Sequence, residues 1–335
     1  MAAQDFYTLK NAEKLQIITQ VAEQQNLPYF AIEKDWWVVQ TLSIIFQLDV
    51  ANHLLFKGGT SLSKAWQLIN RFSEDIDLVL NREYLGFDGG LISKSQVKKL
   101  REASFEFVTT VFYEALQKAF AEKGYTDVTF DFENLGDGDQ DPVSILIYYP
   151  AVTEHSEYVL PRVKVELGSR SLKDPFSNCE IASFVGEQFI ELPFADVPIT
   201  IPCVNPERTY LEKLFLLHEE FQKPKDKIRV DRLSRHLYDI TKIYNSKHKD
   251  KAYNQELIVA IIKYRERFNG MRGVDYSTLY PPNLNPIPPQ EFIKTWEEDY
   301  KTMQTNMIPE DSPSFKDLLE TVKQATKEYN ALKFE

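Results

Sequence analysis

The chain has little cysteine and no long apolar run. Its only two cysteines, Cys179 and Cys203, provide neither a disulfide framework nor the spacing of metal ligands. No stretch approaches the roughly 20 uninterrupted apolar residues that a membrane-spanning helix needs. The N-terminal residues Met1 to Phe6 also lack the basic and apolar segments of a signal peptide. We therefore expect a cytoplasmic protein that does not contact a membrane.

An excess of positive charge is also missing, because the formal net charge is -11. This excludes a surface coated with phosphate-binding cations, although a local basic site remains compatible with it. The richest basic segment runs from Lys223 to His236, and its simplest interpretation is a solvated loop and helix face. Hydrophobic residues make up 43% of the chain and charged residues 27%, which indicates a well-buried core rather than disorder.

The pattern of apolar residues predicts two parts with different secondary structure. Helical spacing before and after Pro28 predicts two N-terminal helices. Strands are predicted over residues 53–57, 74–80, 128–132, 144–149 and 162–167, and a long helix over 95–123. Further helices are predicted over 206–221, 231–244, 258–267, 289–303 and 314–332. The sequence thus predicts a mixed α/β domain over residues 1–203 and a helical domain over 204–335.

The first predicted strand ends in the turn Lys57-Gly58-Gly59-Thr60-Ser61. If Thr60 or Ser61 caps the following helix, the turn presents free backbone N–H groups and a positive helix end, which suit a phosphate. The spacing is not that of a Walker loop, and the closing glycine of a nucleophile elbow is missing. An ordinary strand-to-helix turn is the alternative interpretation.

The second predicted strand carries two carboxylates, Asp75 and Asp77, on one face. Residues two apart on a strand are separated by about 6.5–7 Å, so the carboxylates repel each other unless a cation lies near them. A hard divalent cation such as Mg²⁺ prefers such oxygen ligands and keeps positions open for phosphate oxygens. The pair lies on an apolar strand, where unpaired carboxylates would be costly.

The sequence contains two other acidic features. The run from Asp137 to Asp141 begins like an EF-hand loop, but Pro142 and Tyr148 occupy its sixth and twelfth positions, so that assignment fails. Glu166 alternates with Arg162 and Lys164 on one face of a later strand, and we predict it as a third metal ligand. A solvent-facing polar edge is the other interpretation of that strand.

Five sequence blocks, in order, resemble the AbiEii family of nucleotidyltransferase toxins, which have a polymerase-β-like core. The closest correspondence lies in the glycine turn followed by Ser73-Glu74-Asp75-Ile76-Asp77-Leu78, and the matching blocks run from about Ile32 to about Ile240. The blocks are Ile32-Glu-Lys-Asp-Trp36, Phe56-Lys-Gly-Gly-Thr-Ser-Leu-Ser-Lys64, Arg71-Phe-Ser-Glu-Asp-Ile-Asp-Leu78, Thr209-Tyr-Leu-Glu-Lys-Leu214 and Arg235-His-Leu-Tyr-Asp239. The resemblance implies a polymerase-β-like α/β core with a mixed sheet, N-terminal helices and a helical C-terminal region.

The resemblance also implies roles for individual residues. Ser61 would contact a triphosphate held by Gly58, Gly59 and Thr60, and Asp75 and Asp77 would bind Mg²⁺ or Mn²⁺. Lys213 would match the family's phosphate-facing lysine, and Asp239 its later catalytic aspartate.

Several cations near these blocks have two interpretations. Lys57 and Arg71 flank the turn and the carboxylate pair, and they either contact phosphate or pair with Glu74 or Asp75. The residues Arg232, Arg235, His236 and Asp239 fall at helical spacing and predict one charged stripe, which either faces the nucleotide or forms an Arg235–Asp239 salt bridge.

The expected activity is transfer of a nucleoside monophosphate from a nucleoside triphosphate. By resemblance, the acceptor is the 3′ end of a tRNA or a protein hydroxyl, and the Lys223–Arg235 segment is where an RNA would dock. The resemblance also implies a cognate antitoxin, which need not form a stable complex. Two alternatives are a kinase on the same scaffold and a non-catalytic nucleotide-binding module.

Overall fold

The computed structural model describes residues 5–90, 92–154, 160–169, 175–308 and 312–334. The chain forms two units. Unit 1 comprises Met1–Trp66 and Phe72–Val204, and unit 2 comprises Gln67–Arg71 and Asn205–Glu335. Glycine, asparagine and other turn residues lie between the regular elements, as their conformational preferences predict.

Unit 1 is built on a seven-stranded sheet with both parallel and antiparallel pairs. The strand order is β3-β4-β5-β2-β1-β7-β6, in which β2–β5 and β1–β7 are parallel and the other neighbours are antiparallel. The strands are β1 Leu54–Lys57, β2 Asp75–Leu80, β3 Thr129–Phe132, β4 Val143–Tyr148, β5 Arg162–Gly168, β6 Phe176–Ile181 and β7 Ile199–Val204. The predicted mixed α/β class is confirmed.

The helices of unit 1 include the two predicted near the N-terminus. Pro28 is the N-cap of the second, consistent with its lack of a backbone donor. The helices are α1 Asn11–Gln25, α2 Tyr29–Ile45, α3 Gly58–Thr60 with a π-helical turn Ser61–Ala65, α4 Lys94–Phe107 with a π-helical turn Val108–Phe112, α5 Tyr113–Glu122 and α6 Phe184–Gln188.

The two faces of the sheet differ in polarity. In β5, Val163, Val165 and Leu167 are buried, whereas the alternating residues are only half buried. The buried side chains belong to a core that also contains residues of α2 and α5, including Trp36 and Leu116. The opposite face carries Asp75 and Asp77 of β2 and Glu166 of β5 and is therefore the polar face of the sheet.

Unit 2 is helical. Its central helix packs against three others and is buried on nearly its whole surface, which explains its many large apolar residues. The helices are α7 Pro206–Phe221, α8 Ser234–Tyr244, α9 Lys249–Ala252, α10 Gln255–Phe268, α11 Ile293–Met307 and α12 Phe315–Asn330. None of the helices in the described residues combines the length and apolar character needed to cross a membrane.

Two strands were missed, and the start of one helix was predicted at the wrong residue. The sequence pattern predicted neither β6 nor β7, because β6 is polar and β7 contains Pro202, a residue that argues against an interior strand. The helix predicted from Asp231 begins at Ser234, since Arg232 has a positive φ of 58°. Asp299 accepts hydrogen bonds from the backbone N–H groups of Arg232 (2.7 Å) and Ser234 (2.9 Å) at this helix start.

Candidate active site

The glycine turn follows β1 directly and has a different helix start from the one predicted. The helix begins at Gly58, which has a φ of +81°, and Lys57 is its N-cap without a side-chain hydrogen bond. The prediction that Thr60 or Ser61 caps the helix is therefore wrong. Thr60 instead lies in the first turn, where its hydroxyl donates to the backbone oxygen of Asp75 at 2.5 Å. The N–H groups of this first turn have no acceptor within the helix.

Ser61 has an unusual hydroxyl group. Its side chain is only 2% exposed, and its Oγ forms no hydrogen bond with any described residue. The thiol of Cys203 is a polar neighbour of this hydroxyl, but a thiol is a weak partner. A buried polar group without a good partner is costly in a folded protein, and such groups often lie where a ligand binds.

The turn and the carboxylate pair meet at Gly58. A Cβ built on Gly58 would lie 1.8 Å from Oδ2 of Asp77 and 2.7 Å from its Cγ, so only glycine allows this approach. The contact follows from the antiparallel pairing of β1 and β2, in which Lys57 lies opposite Asp77. The structure thus places the predicted phosphate turn directly against one of the predicted metal ligands.

We call Asp75, Asp77 and Glu166 the carboxylate face. In the parallel pairing of β2 and β5, Asp75 lies opposite Lys164 and Asp77 lies opposite Glu166. Because facing residues of neighbouring strands project to the same side, all three carboxylates lie on the polar face of the sheet.

The structure gives Glu166 a partner on its own strand. Nζ of Lys164 lies 2.7 Å from Oε1 of Glu166 and 2.6 Å from Oε2 of Glu133. Burial lowers the pKa of Lys164, but its hydrogen bonds to Glu133 and Glu166 outweigh burial and raise it overall, so this lysine is charged. Among the described residues, no three His, Cys, Asp or Glu side chains are grouped as a metal site requires.

Two buried ion pairs from α2 hold the segments around the site. Lys34 pairs with Glu74, the residue before β2, and donates to the backbone oxygen of Leu160 at 3.0 Å. Asp35 accepts from Lys64, with 2.9 Å between Nζ and Oδ1. The sequence alone indicates no chemistry for these residues. Their only signal was charge within an otherwise apolar helix, and the structure shows that these charges position β2 and the π-helical turn.

A second group of predicted residues lies in unit 2, and we call Arg71, Lys213, His236 and Asp239 the aspartate–cation cluster. Asp239 is fully buried and accepts two hydrogen bonds from Arg71, at 2.8 Å from Nε and 2.8 Å from Nη2. Nζ of Lys213 lies 2.9 Å from the same carboxylate and 3.3 Å from Nδ1 of His236. The Arg71 side chain thus takes part in a bidentate pair with Asp239, a geometry that fixes both groups.

The charges of this cluster follow from its burial and its contacts. Burial alone would raise the pKa of Asp239, but Arg71 and Lys213 outweigh it and hold that pKa well below its usual range. Burial lowers the pKa of Lys213, while Asp239 opposes that change. Burial and the nearby cations Lys213 and Arg235 lower the pKa of His236 well below its ordinary value, so this histidine is neutral.

The basic segment of unit 2 is partly neutralised by its neighbours. Glu220 lies 2.7 Å from Nζ of Lys223 and 2.8 Å from Nη2 of Arg229. Lys225 pairs with Glu291 at 2.5 Å, yet it remains 80% exposed. The segment therefore presents exposed cations whose net positive charge is reduced by these carboxylates. Arg235 is half buried on α8.

The close approach at Gly58 predicts a specific effect of adding one methyl group. Gly86 has the same φ of +81°, but a Cβ there would meet nothing within 4 Å. Gly86→Ala should therefore lower the free energy of unfolding by only about 1–2 kcal/mol, the cost of the left-handed conformation. Gly58→Ala should cost more, because Asp77 must also move. Urea denaturation of both variants measures the difference.

A double variant separates the cost of the left-handed backbone at residue 58 from the cost of the clash with Asp77. Asp77→Ala removes the two nearest atoms and leaves only the Asp77 Cβ, 3.0 Å from a Cβ at residue 58. Gly58→Ala should therefore cost less in the Asp77→Ala background than in the wild type. If Gly58→Ala lowers the free energy of unfolding equally in the wild type and in Asp77→Ala, the contact between Gly58 and Asp77 is contradicted.

The neutral state of His236 predicts how stability depends on pH. Below its ordinary pKa of about 6.5, the unfolded chain binds a proton that the folded chain does not. The free energy of unfolding should therefore fall as the pH drops below about 6.5, by up to about 1.4 kcal/mol per pH unit for this residue. His236→Gln should reduce that slope between neutral and mildly acidic pH. An unchanged slope, measured by denaturation at several pH values, would contradict a neutral His236.

Comparison with known proteins identifies the family of the chain. No curated protein matches the chain. A family model described as "Nucleotidyl transferase AbiEii toxin, Type IV TA system" matches residues 41–321, a range that contains Gly58, the carboxylate face and the residues of the aspartate–cation cluster. Since this range covers most of the sequence, the chain belongs to the AbiEii family of nucleotidyl transferase toxins of type IV toxin–antitoxin systems.

Proposed function

We propose that the protein transfers a nucleoside monophosphate from a nucleoside triphosphate to a hydroxyl group. In this reaction the acceptor oxygen bonds to the α-phosphorus. The bond between the α-phosphorus and the oxygen that bridges it to the β-phosphorus breaks, and pyrophosphate leaves. The hydroxyl proton is released. Family membership supports the reaction class. The Gly58 turn and the carboxylate face support the location of the active site.

The observation that carries the proposal is the contact between the Gly58 turn and Asp77. A phosphate-binding turn and a metal-binding carboxylate serve one reaction only if the same phosphate group reaches both. The 1.8 Å separation between a built Gly58 Cβ and the carboxylate makes them immediate neighbours. The unpartnered Ser61 hydroxyl in the same turn supplies one more donor for a phosphate oxygen.

The carboxylate face fits a divalent cation that is completed by its substrate. Mg²⁺ usually takes one or two protein carboxylates together with substrate phosphates and water. Asp75 and Asp77 would hold it, and when bound it would neutralise charge on the phosphate oxygens. Glu166 remains our candidate for a third ligand, although its carboxylate pairs with Lys164 in this structure.

The roles of the protein's own groups follow from their surroundings. The first-turn N–H groups of Gly58 to Thr60 would bind phosphate oxygens, and the hydrogen bond from Thr60 to Asp75 would keep the turn aligned with β2. Holding a triphosphate in one orientation accounts for much of the acceleration in transfers of this kind, because the acceptor must attack in line.

In unit 2 we propose Lys213, Arg71 and Arg235 as cations for phosphate charge. Asp239 is fully buried and binds both Arg71 and Lys213, which favours a positioning role over direct contact with substrate. Its carboxylate fixes the orientation of these cations and opposes the lowering of the Lys213 pKa by burial. Such fixed charges stabilise a transition state without reorganising during the reaction.

The acceptor and partners are proposed from the same family assignment. An RNA such as the 3′ end of a tRNA would dock on the exposed cations between Lys223 and Arg235, and its binding would weaken steeply with salt. A protein hydroxyl is the other acceptor. A cognate antitoxin is the expected partner of a toxin of this family.

A transfer assay tests the proposal. Purified protein is incubated with Mg²⁺, each α-³²P-labelled triphosphate in turn, total RNA and cell protein. We expect label on RNA or protein with the wild type. Asp77→Asn should reduce it by at least about 100-fold, the effect of losing one group that stabilises transition-state charge.

The control is Asp131→Asn, because Asp131 is an exposed aspartate on β3 of the same sheet. This variant should keep full activity. Full activity of Asp77→Asn would show that the site is wrongly assigned. The assay is repeated with γ-³²P-labelled triphosphates. Transfer of the γ-label alone would show phosphorylation instead, and no transfer of either label would favour a binding module.

A further inference from the structure

A cavity of about 580 Å³ lies on the sheet of unit 1 and belongs to none of the groups discussed so far. Its floor contains Leu55 of β1, Val79 of β2 and Pro202 of β7. Phe46, which follows α2, and Phe176 of β6 contribute aromatic walls. The volume falls within the range of ordinary small-molecule sites, which is about 300–1,000 Å³.

The cavity opens on the polar face of the sheet. Leu55 lies opposite Val79 in the β1–β2 pairing, just as Lys57 lies opposite Asp77 two residues away. Because residues two apart on a strand project to the same side, Leu55 and Val79 share a face with Asp77. The cavity floor is thus displaced from Asp77 by one strand repeat, about 6.5–7 Å.

The polarity of the lining restricts what the cavity can bind. Within the described part of the chain, the lining contains no carboxylate, ammonium or guanidinium group, although 27% of the chain is charged. Its polar side chains are the amides of Asn52, Asn81 and Asn178, the hydroxyl of Thr200 and the imidazole of His53. Asn52, Asn178 and Thr200 are exposed. Amides both donate and accept hydrogen bonds, and a hydroxyl does the same.

These features match a flat, uncharged heteroaromatic ring. Apolar and aromatic walls cover the faces of such a ring, while amides and a hydroxyl satisfy the donors and acceptors along its edge. A phosphate or a carboxylate would meet no lysine or arginine side chain in the described lining. The displacement from Asp77 allows a ribose to connect a phosphate at the carboxylate face with a ring in the cavity.

We propose that this cavity binds the nucleobase of a substrate nucleotide. The identification of the ring as a nucleobase rests on the proposed function, since the phosphate is placed at Gly58 and Asp77. The base belongs either to the incoming triphosphate or to an unpaired nucleotide of an RNA acceptor. Both sources have the same ring chemistry, and binding measurements distinguish them.

Free nucleosides test the cavity without phosphate, metal or catalysis. Saturation-transfer difference NMR with adenosine, guanosine, cytidine and uridine should detect binding of at least one to the wild type. Asn178→Trp places bulk in the cavity from the exposed strand β6, and it should abolish that signal. Ser177→Trp is the matched control, because the adjacent residue is also exposed but does not line the cavity.

Thr200→Trp blocks the cavity from a different strand and should have the same effect as Asn178→Trp. Because Thr200 lies on β7, a local defect in β6 would not explain the same loss in both variants. Absence of nucleoside binding to the wild type at concentrations on the order of 10 mM would overturn the proposal. So would equal binding by the wild type and both blocked variants.

Affinities for phosphorylated ligands then identify the source of the base. If it belongs to the triphosphate, Asn178→Trp should raise the Kd for that triphosphate by at least about tenfold, or ~1.4 kcal/mol, while Ser177→Trp leaves it unchanged. If it belongs to the RNA, the same variant should raise only the Kd for a single-stranded oligonucleotide. Unchanged affinity for both ligands would overturn the proposal. Because these are binding measurements, a failed transfer assay would not affect their outcome.

Discussion

The structure around the site depends on the approach of the Asp77 carboxylate to Gly58. That approach needs the antiparallel pairing of β1 and β2, in which Lys57 lies opposite Asp77, and it needs a residue without Cβ at the turn. The same pairing places Asp75 next to Thr60, whose hydroxyl binds the Asp75 backbone. A shift of register by one residue would turn both carboxylates into the apolar core. The register of two short strands therefore determines where the proposed phosphate and metal sites lie.

Each unit contains buried charges that hold neighbouring side chains in place. In unit 1, Lys34 and Asp35 of one apolar helix hold Glu74 and Lys64, which lie beside β2 and within the π-helical turn. In unit 2, Asp239 holds Arg71 and Lys213. Removing one member of a buried pair leaves an uncompensated charge, which is strongly destabilising. These charges orient neighbouring side chains. In contrast, the described lining of the cavity beside the carboxylate face contains no Lys, Arg, Asp or Glu.

Local patterns in the sequence were sufficient to predict the glycine turn, the alternation of β2 and most helices. These features depend on neighbouring residues, such as Asp75 and Asp77 on one strand face. The pairing of Arg71 with Asp239 joins residues 168 positions apart, so no local pattern predicts it. By contrast, Lys164 and Glu166 are two residues apart on one strand face, and their contact competes with the predicted metal role of Glu166. Strand β7 was missed because Pro202 usually excludes an interior strand, and with it the cavity floor was missed.

The central claim is that Asp75 and Asp77 bind a metal ion together with the triphosphate held at Gly58. Its most direct test is the affinity for a non-reactive α,β-methylene triphosphate analogue, measured by calorimetry with and without Mg²⁺. For the wild type, Mg²⁺ should strengthen binding by at least about tenfold, or ~1.4 kcal/mol, and Asp75→Asn with Asp77→Asn should remove that gain. The same gain in the double variant would contradict the account.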